Sequence, residues 1–553
     1  MSGLASICLA HEASTPLYRQ IADQITQAVH KGLIQPGERL PPIRQLANLL
    51  MVSPITVTQA YQTLAQEGVA TGQIGRGTFI LPSVTASSSV SSSPMHGGPA
   101  ADETSAPGED WMSRLAVAHR MRRGPRRSVA LGQLFAQLLR NESDQSLIDF
   151  SGGNPAPELF GLAGWQKILA QAGQSLQQET LSPRDRSALQ YGPSMGDPAL
   201  RDFLTTHLQR YGLQATANEI LLTSGTQQGL DLVARTLFAP GDSVYVEEHS
   251  YIAALDIFEQ FDLHIRPVPM DAEGVQVEEL ERLLGAPQAR PRWLYTIPTG
   301  QSPTGISLAA ERRRLLAEVA HRTHVIILED DAFNDLSYEP RTERASAPLV
   351  PAVSSFAQRG QCIYLKSFSK TSFPGVRMGC LVADPALISA LAEEKGLVDR
   401  GASVVVARAV LAYLRSSAYT RHLEEMRAFY VHRRDVLLAA LERELADLGC
   451  SWTIPGAGFS LLLTIPTELD EMEVLEEAVA NGIAVAPGRF FTAAAPSVSD
   501  HTLRLTFGDK SPSLLEEASR RLGRSLRTVL EKHAGAATAA SLPVPARRMT
   551  IDV

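Results

Sequence analysis

Cysteine is scarce in this chain: among 553 residues only Cys8, Cys362, Cys380 and Cys450 occur, far apart and without a C-x-x-C pair. That spacing excludes a disulfide framework and a cysteine-built zinc site, and it fits a reducing compartment. The opening residues, MSGLASICLAHEAS, hold no basic stretch and no long apolar core, so no signal peptide is expected. No uninterrupted apolar run approaches the length of a bilayer-crossing helix, so we expect a cytoplasmic protein with no membrane partner. No internal repeat is present. Positive charge is not in excess either: 51 Lys and Arg against 59 Asp and Glu give a net charge of −8. This excludes a protein that coats nucleic acid along its whole length, but not a small DNA-reading module, which depends on local charge.

What is present is an ordinary globular composition, 44% hydrophobic and 20% charged, in a chain long enough for two or three domains. Three zones and a tail are expected. Residues 1–81 form the first zone. Residues 82–146 form a linker: Ser, Ala, Gly and Pro dominate 82–110, including the run SSSVSSS, and cannot bury enough apolar surface to offset chain entropy. Within it, RLAVAHRMRRGPRR (114–127) carries six arginines and no acid, either a solvated stretch or a second contact to a duplex. Residues 147–533 form the body, and 534–553, rich in Ala and Pro, a loose tail. In the body, short apolar runs such as LLT (221–223), SVYV (243–246), WLYT (293–296), VIIL (325–328), CIYL (362–365) and CLVA (380–383) read as buried strands. Helix-like segments such as 226–238 and 308–321 separate them. Such alternation implies an α/β body with a mainly parallel sheet covered on both faces.

In the first zone, LYRQIADQITQAVHKGLI (17–34) has apolar residues at helical spacing and stops at PGERL. A short helix, IRQLANLLM, then breaks at Val52-Ser53-Pro54, with Ser53 suited to the N-cap and Pro54 to the first helical position of ITVTQAYQTLAQEG. Two short helices across a tight turn are a helix-turn-helix, and GQIGRGTFI (72–80) reads as a hairpin with a wing tip at Gly75-Arg76-Gly77. PGERLPPIRQLA, VSPITVTQAYQTLAQEG and GRGTFI closely resemble the winged helix-turn-helix of the GntR family over 15–81. The resemblance implies a mostly α DNA-binding domain in which Arg44, Thr56 and Arg76 approach operator DNA. Pro42 and Pro54 depart from it, since the family often has Ser and Arg at those places. Residues 1–81 hold five Lys or Arg against four Asp or Glu, a weak electrostatic footprint.

In the body, SFSKTSFPGVRMG (367–379) places a lysine just beyond a strand, flanked by serines and followed by an arginine. Lys370 suits a Schiff base with pyridoxal 5′-phosphate (PLP), with Ser367 and Arg377 on phosphate oxygens. TSGTQQGLDLVARTLF follows the strand LLT, so Ser224, Gly225, Thr226 and Gln227 stand at a helix N-terminus that favours an anion. VIILEDDAF ends a strand in carboxylates, of which Asp330 is suited to pair with a pyridinium nitrogen. The bland alternatives are a solvated acidic loop or a metal site, and no supporting ligands favour a metal.

These motifs, with DFSGGNPAPELF, QYGPSMGDPALRDFLTTHLQRYGL, PTGQSPTG and LRLTF, resemble fold-type I aminotransferases along 147–533. Carried onto these positions, the resemblance implies that Tyr251 stacks on the cofactor ring and that Tyr191 reaches the phosphate of the neighbouring subunit in a homodimer. It also implies that Arg504 binds a ligand carboxylate and that Gly153 lets backbone approach the ligand. Two positions depart. Ser302 stands where Asn usually donates to the cofactor's phenolic oxygen, and Phe333 where a Tyr donor is common. Fewer donors at that oxygen, with Asp330 and Lys370 still in place, imply retained cofactor binding with weak or absent turnover. The order of reader, linker and body resembles the MocR/GabR family of regulators. It implies a PLP-dependent transcription regulator that senses an amine, an amino acid or PLP itself. The alternative is an active aminotransferase with an appended DNA-binding domain.

Overall fold

The computed structural model describes residues 17–30, 34, 38, 40–41, 46–47, 50, 52, 54–66, 69–73, 77–81, 126–138, 147–180, 191–285, 292–338, 350–493 and 500–540. The chain divides into two compact units, Met1–Gly108 and Glu109–Val553.

In the first unit, helix α1 (Leu17–His30) packs on helix α2 (Pro54–Gln66), and an antiparallel pair of strands follows, β1 (Ala70–Gln73) and β2 (Gly77–Ile80). Pro54 opens α2 as expected, because the first helical residue has no intrahelical use for an amide. Ile21 and Ile25 of α1 meet Val57, Ala60 and Leu64 of α2 at spacings that put each set on one helical face. Tyr61 Oη closes the unit by donating to the Pro41 carbonyl at 2.8 Å. Glu38 and Leu40 extend the hairpin: Leu40 N–H donates to the Thr78 carbonyl and Ile80 N–H to that of Glu38. Arg44, Ser53 and Arg76 lie outside the described residues.

The second unit begins with helix α3 (Arg127–Leu138), which stands inside the stretch expected to be linker. Strand β3 (Ile148–Asp149) follows. A seven-stranded sheet is then built from β4 (Ile220–Thr223), β5 (Ser243–Glu247), β6 (His264–Val268), and, after the short hairpin β7 (Met270–Asp271) and β8 (Gly274–Val275), from β9 (Arg292–Thr296), β10 (Ile326–Asp331), β11 (Cys362–Ser367) and β12 (Gly379–Val382). Its order is β4-β12-β11-β10-β9-β5-β6, and only β12 runs antiparallel to its neighbours. The six expected strands are all present. The seventh, β6, is an edge strand whose sequence HIRPV contains a proline, tolerated there because one side of the strand is unpaired.

Two helices matter for the site: α4 (Thr226–Leu237), which leaves β4, and α5 (Ile252–Gln260), which leaves β5. A smaller antiparallel sheet joins β13 (Ser451–Trp452), β14 (Ser460–Thr464), β16 (Ala486–Pro487) and β17 (Thr502–Thr506), while β15 (Ile483–Ala484) pairs in parallel with β3. The closing helix runs Pro512–Ala540, seven residues into the stretch expected to be tail, because Leu515, Ala518, Leu522, Leu526 and Val529 keep a buried helical stripe and carry the helix onward. No helix among the described residues is long and apolar enough to cross a membrane.

Candidate active site

The C-terminal ends of the sheet strands, with the small sheet, enclose a cleft lined by Asp330, Lys370, Arg377 and Arg504. Strands β10 and β11 are parallel and in register from Ile327↔Cys362 to Asp331↔Lys366, which fixes Asp330 beside the strand that leads to Ser367 and Lys370. Parallel strands buried on both faces must be apolar nearly throughout, so polar residues concentrate where these strands end.

Lys370 lies past the end of β11. Its Nζ donates to the Gly153 carbonyl at 3.0 Å and stands 5.5 Å from the centre of the Phe459 ring. Burial, then the positive charges of Arg504 and Arg377, push its pKa down from 10.5 to about 8. Asp330 is buried. Tyr295 Oη donates to its Oδ2 at 2.8 Å, while Oδ1 has no hydrogen-bond partner. Burial raises the Asp330 carboxyl from 3.8 to about 7.

An anion cradle lies at the start of α4. Gly225, the N-cap, takes φ +86°, and a Cβ there would stand 3.0 Å from Arg377 Nη2. The Arg377 guanidinium donates to the Ser224 carbonyl at 3.1 Å and to Ser369 Oγ at 3.3 Å. With the unpaired amides of the first helical turn and the hydroxyls of Ser367 and Ser369, these groups surround a place for a phosphate. Ser224 contributes its backbone: its N–H donates to Gln228 Oε1, and its side chain does not line the cleft.

Tyr251, N-cap of α5, lines the cleft, and burial raises its phenol above the usual range. Arg504 projects from β17 with its guanidinium 4.4 Å from the Phe491 ring centre. It donates to the Ser151 carbonyl, while its buried Nε has no partner. Burial lowers its pKa to about 10, which still leaves it charged at neutral pH. Thr226, Gln227 and Ser302 line the same cleft. So does Phe333, whose ring meets Phe459 edge-on at 5.3 Å and offers no donor. Tyr191 is 85% exposed and does not line the cleft of its own chain. Thr56 lies in the first turn of α2, and Arg44 and Arg76 lie outside the described residues.

Several participants were missed by sequence reading. Tyr295, the partner of Asp330, sits inside the apolar run WLYT with no local mark of function. Ile297, Ala332, Ser369, Phe459, Ser460 and Thr506 complete the lining. Gln301 is buried and braces the 301–305 turn by accepting from Thr304 Oγ1 at 2.7 Å and donating to the His249 carbonyl. The acidic run 329–331 is not a solvated loop. Glu329, Asp330 and Asp331 are all buried, Asp331 pairs with Lys366 at 3.3 Å, and no metal-holding cluster exists among the described residues.

Residues 164–522 match the family described as aminotransferase class I and II, and residues 17–80 match the bacterial regulatory proteins of the gntR family. An aromatic-amino-acid aminotransferase of Thermococcus litoralis is 32% identical over 72% of this chain and 92% of its own. The probable rhizopine catabolism regulatory protein MocR of Rhizobium meliloti is 26% identical over 87% of this chain and 88% of its own. The structure of LysN, an alpha-aminoadipate aminotransferase of Thermus thermophilus complexed with N-(5′-phosphopyridoxyl)-L-leucine, superposes with a TM-score of 0.61 at 29% identity. It covers 72% of this chain and 95% of that one.

Proposed function

The chain belongs to the aminotransferase class I and II family, and from that membership and the gntR-type module ahead of it we propose a regulator that senses an amine or amino acid at Lys370. At the coarser level it is a PLP-dependent DNA-binding regulator with the architecture of MocR. The cleft fits the cofactor. Asp330 Oδ1 and Arg504 Nε are buried polar atoms without partners, and Gly225 keeps open a cradle that a Cβ would crowd.

Bound PLP supplies an aldehyde carbon that condenses with primary amines and a ring that takes up electrons. The protein's part is division of labour among fixed groups. Gly225, Thr226, Gln227, Ser367 and Arg377 would hold the phosphate, with Ser224 fixing Arg377 through its carbonyl. Tyr251 would cover the ring, and Asp330 would pair with the ring nitrogen, a partner that favours its charged form. Lys370 provides an amine that is partly neutral near pH 8 and so is a usable nucleophile. Arg504 takes a carboxylate through its fork of donors, with Gly153 leaving backbone room beside it. Ser302 is the remaining donor near the phenolic oxygen, since Phe333 has none.

In the DNA unit, Arg44, Thr56 and Arg76 contact the operator. A homodimer brings Tyr191 to the partner's phosphate, which accounts for a tyrosine left 85% exposed in one chain. The observation that carries the reading is the convergence of Lys370, Asp330 and the Gly225–Arg377 cradle in one cleft of a chain that also carries a DNA reader. The second reading, a working aminotransferase, is favoured by the same complete set of lysine, aspartate and arginine. Absorbance of the PLP-loaded protein separates them when a panel of amino acids and amines is added. A ligand that shifts the cofactor band and holds it there without keto acid is a sensed effector. Steady release of keto acid identifies an enzyme, and DNA affinity that responds to PLP with no amine identifies a sensor of the cofactor itself.

A further inference from the structure

Residues 126–138, at the body end of the linker, are docked on the second unit by a buried clamp. Asp256 of α5 is 7% exposed and accepts from the backbone N–H of Arg127 at 2.6 Å and of Ser128 at 3.2 Å. A carboxylate from one helix thus caps the N-terminus of another, where free amides and the dipole favour it. The Arg127 side chain is itself buried. Its Nε donates to Glu259 at 2.8 Å and its Nη1 to the Thr492 carbonyl, so the guanidinium joins α5 to the 488–493 segment. One turn on, Ala130, Leu131 and Leu134, together with Ile252 of α5, pack against the cluster of Ala486, Phe490 and Phe491.

The groups that receive α3 also support the cleft. The Phe491 ring lies 4.4 Å from the Arg504 guanidinium, and the Phe491 carbonyl accepts from Ser250 N–H at 2.7 Å, one residue before Tyr251. Ile252 directly follows Tyr251 at the start of α5. Arg504 and Tyr251, the two groups that a bound amino acid and the cofactor ring would meet, therefore rest on residues that α3 holds. A buried arginine is costly to leave unpaired, so the clamp is either fully made or fully released, which suits a two-position element.

We propose that residues 126–138, clamped by Arg127 on Asp256, Glu259 and Thr492, are a positioning element for Arg504 and carry the ligand state of the cleft to the linker. The proposal deepens the sensor reading and rests on it. Displacement of the Arg504 guanidinium by a ligand carboxylate moves the Phe491 ring beneath it, and with it the seat of Leu131 and Leu134. Conversely, loss of the clamp loosens Arg504 and leaves the phosphate cradle of Gly225 and Arg377 intact.

The test uses the full chain and N-(5′-phosphopyridoxyl)-L-leucine, a stable conjugate that occupies the cofactor and amino-acid places together. Affinities for PLP and for the conjugate are measured in wild type, Arg127→Met and Asp256→Asn, and hydrogen exchange of 126–138 is compared in the two loaded wild-type forms. Both variants should keep PLP affinity within about twofold, the size of an uncoupled effect. They should weaken the conjugate by about 5- to 150-fold, the span of typical coupling. A merely structural role would lower both affinities alike. Exchange in 126–138 should differ between the PLP-loaded and conjugate-loaded wild type, a comparison that decides the matter even if the variants fail to fold. An unchanged ratio of affinities, or identical exchange, overturns the proposal. Failure of the sensor reading looks different: wild type would not bind the conjugate, or Arg504→Ala would bind it as tightly, and the clamp would fall with it.

Discussion

Replacing Asp330 by asparagine should change stability in opposite directions in the PLP-free and PLP-loaded protein. In the free chain, burial lifts the Asp330 carboxyl from 3.8 to about 7, against the pull of the Tyr295 hydrogen bond. An unfolded aspartate releases its proton near 3.8, so above that pH folding must re-protonate a carboxylate or bury its charge. The penalty is absent below about pH 4, grows as pH rises, and is complete above about pH 7. Roughly three units at about 1.4 kcal/mol each make about 4 kcal/mol at pH 8, against about 2 kcal/mol at pH 5. An amide of the same shape carries no such penalty, so Asp330→Asn should stabilise the PLP-free protein by those amounts. With PLP bound, the sign reverses. Removing one partner of a buried charge pair costs about 3–5 kcal/mol, or roughly 10²- to 4 × 10³-fold in PLP affinity. Unfolding of the cofactor-free protein at pH 5 and pH 8, together with PLP titration, reads both effects. An asparagine variant that is less stable than wild type at pH 8 without PLP, or that binds PLP equally well, would refute the assignment.

Lys370→Ala should lose the absorbance band of lysine-bound cofactor while far-ultraviolet circular dichroism stays unchanged. In wild type, the rate of PLP capture should rise through an inflection near pH 8, where the lowered lysine pKa frees the amine; an inflection near 10.5 would contradict it. Arg504→Ala should weaken carboxylate ligands by about 1.5–3 kcal/mol, the value of a charged hydrogen bond, and leave amines without a carboxylate unaffected in a spectral titration. Gly225→Ala should raise the dissociation constant for PLP, because the residue needs φ +86° and its Cβ would press on Arg377; strain of this kind costs about 1–3 kcal/mol.

Most of the body was legible in the sequence for a physical reason. Strands buried on both faces are continuous apolar runs, and the functional groups stand where those runs end, as at Asp330, Ser367 and Gly225. Strand β6 was missed because a largely exposed edge strand with a proline, HIRPV, carries no such run. Tyr295 was hidden for the opposite reason: it is one more bulky residue in a buried strand, and only the register of β9 on β10 gives it a partner. The helix at Arg127–Leu138 was read as part of the linker because the arginines before it dominate the composition. Its anchors, Asp256 and the Thr492 carbonyl, are 129 and 365 residues away. A buried arginine and a solvated one look alike until the chain is folded.

An amine entering the Lys370 cleft should change DNA affinity. One titration tests it: DNA binding and cofactor absorbance are followed together in the PLP-loaded full chain as each amino acid of a panel is added. At least one amino acid should show the same half-saturation in both signals, and Lys370→Ala should lose both responses. Absorbance changes that leave DNA affinity constant, with keto acid accumulating, would contradict it.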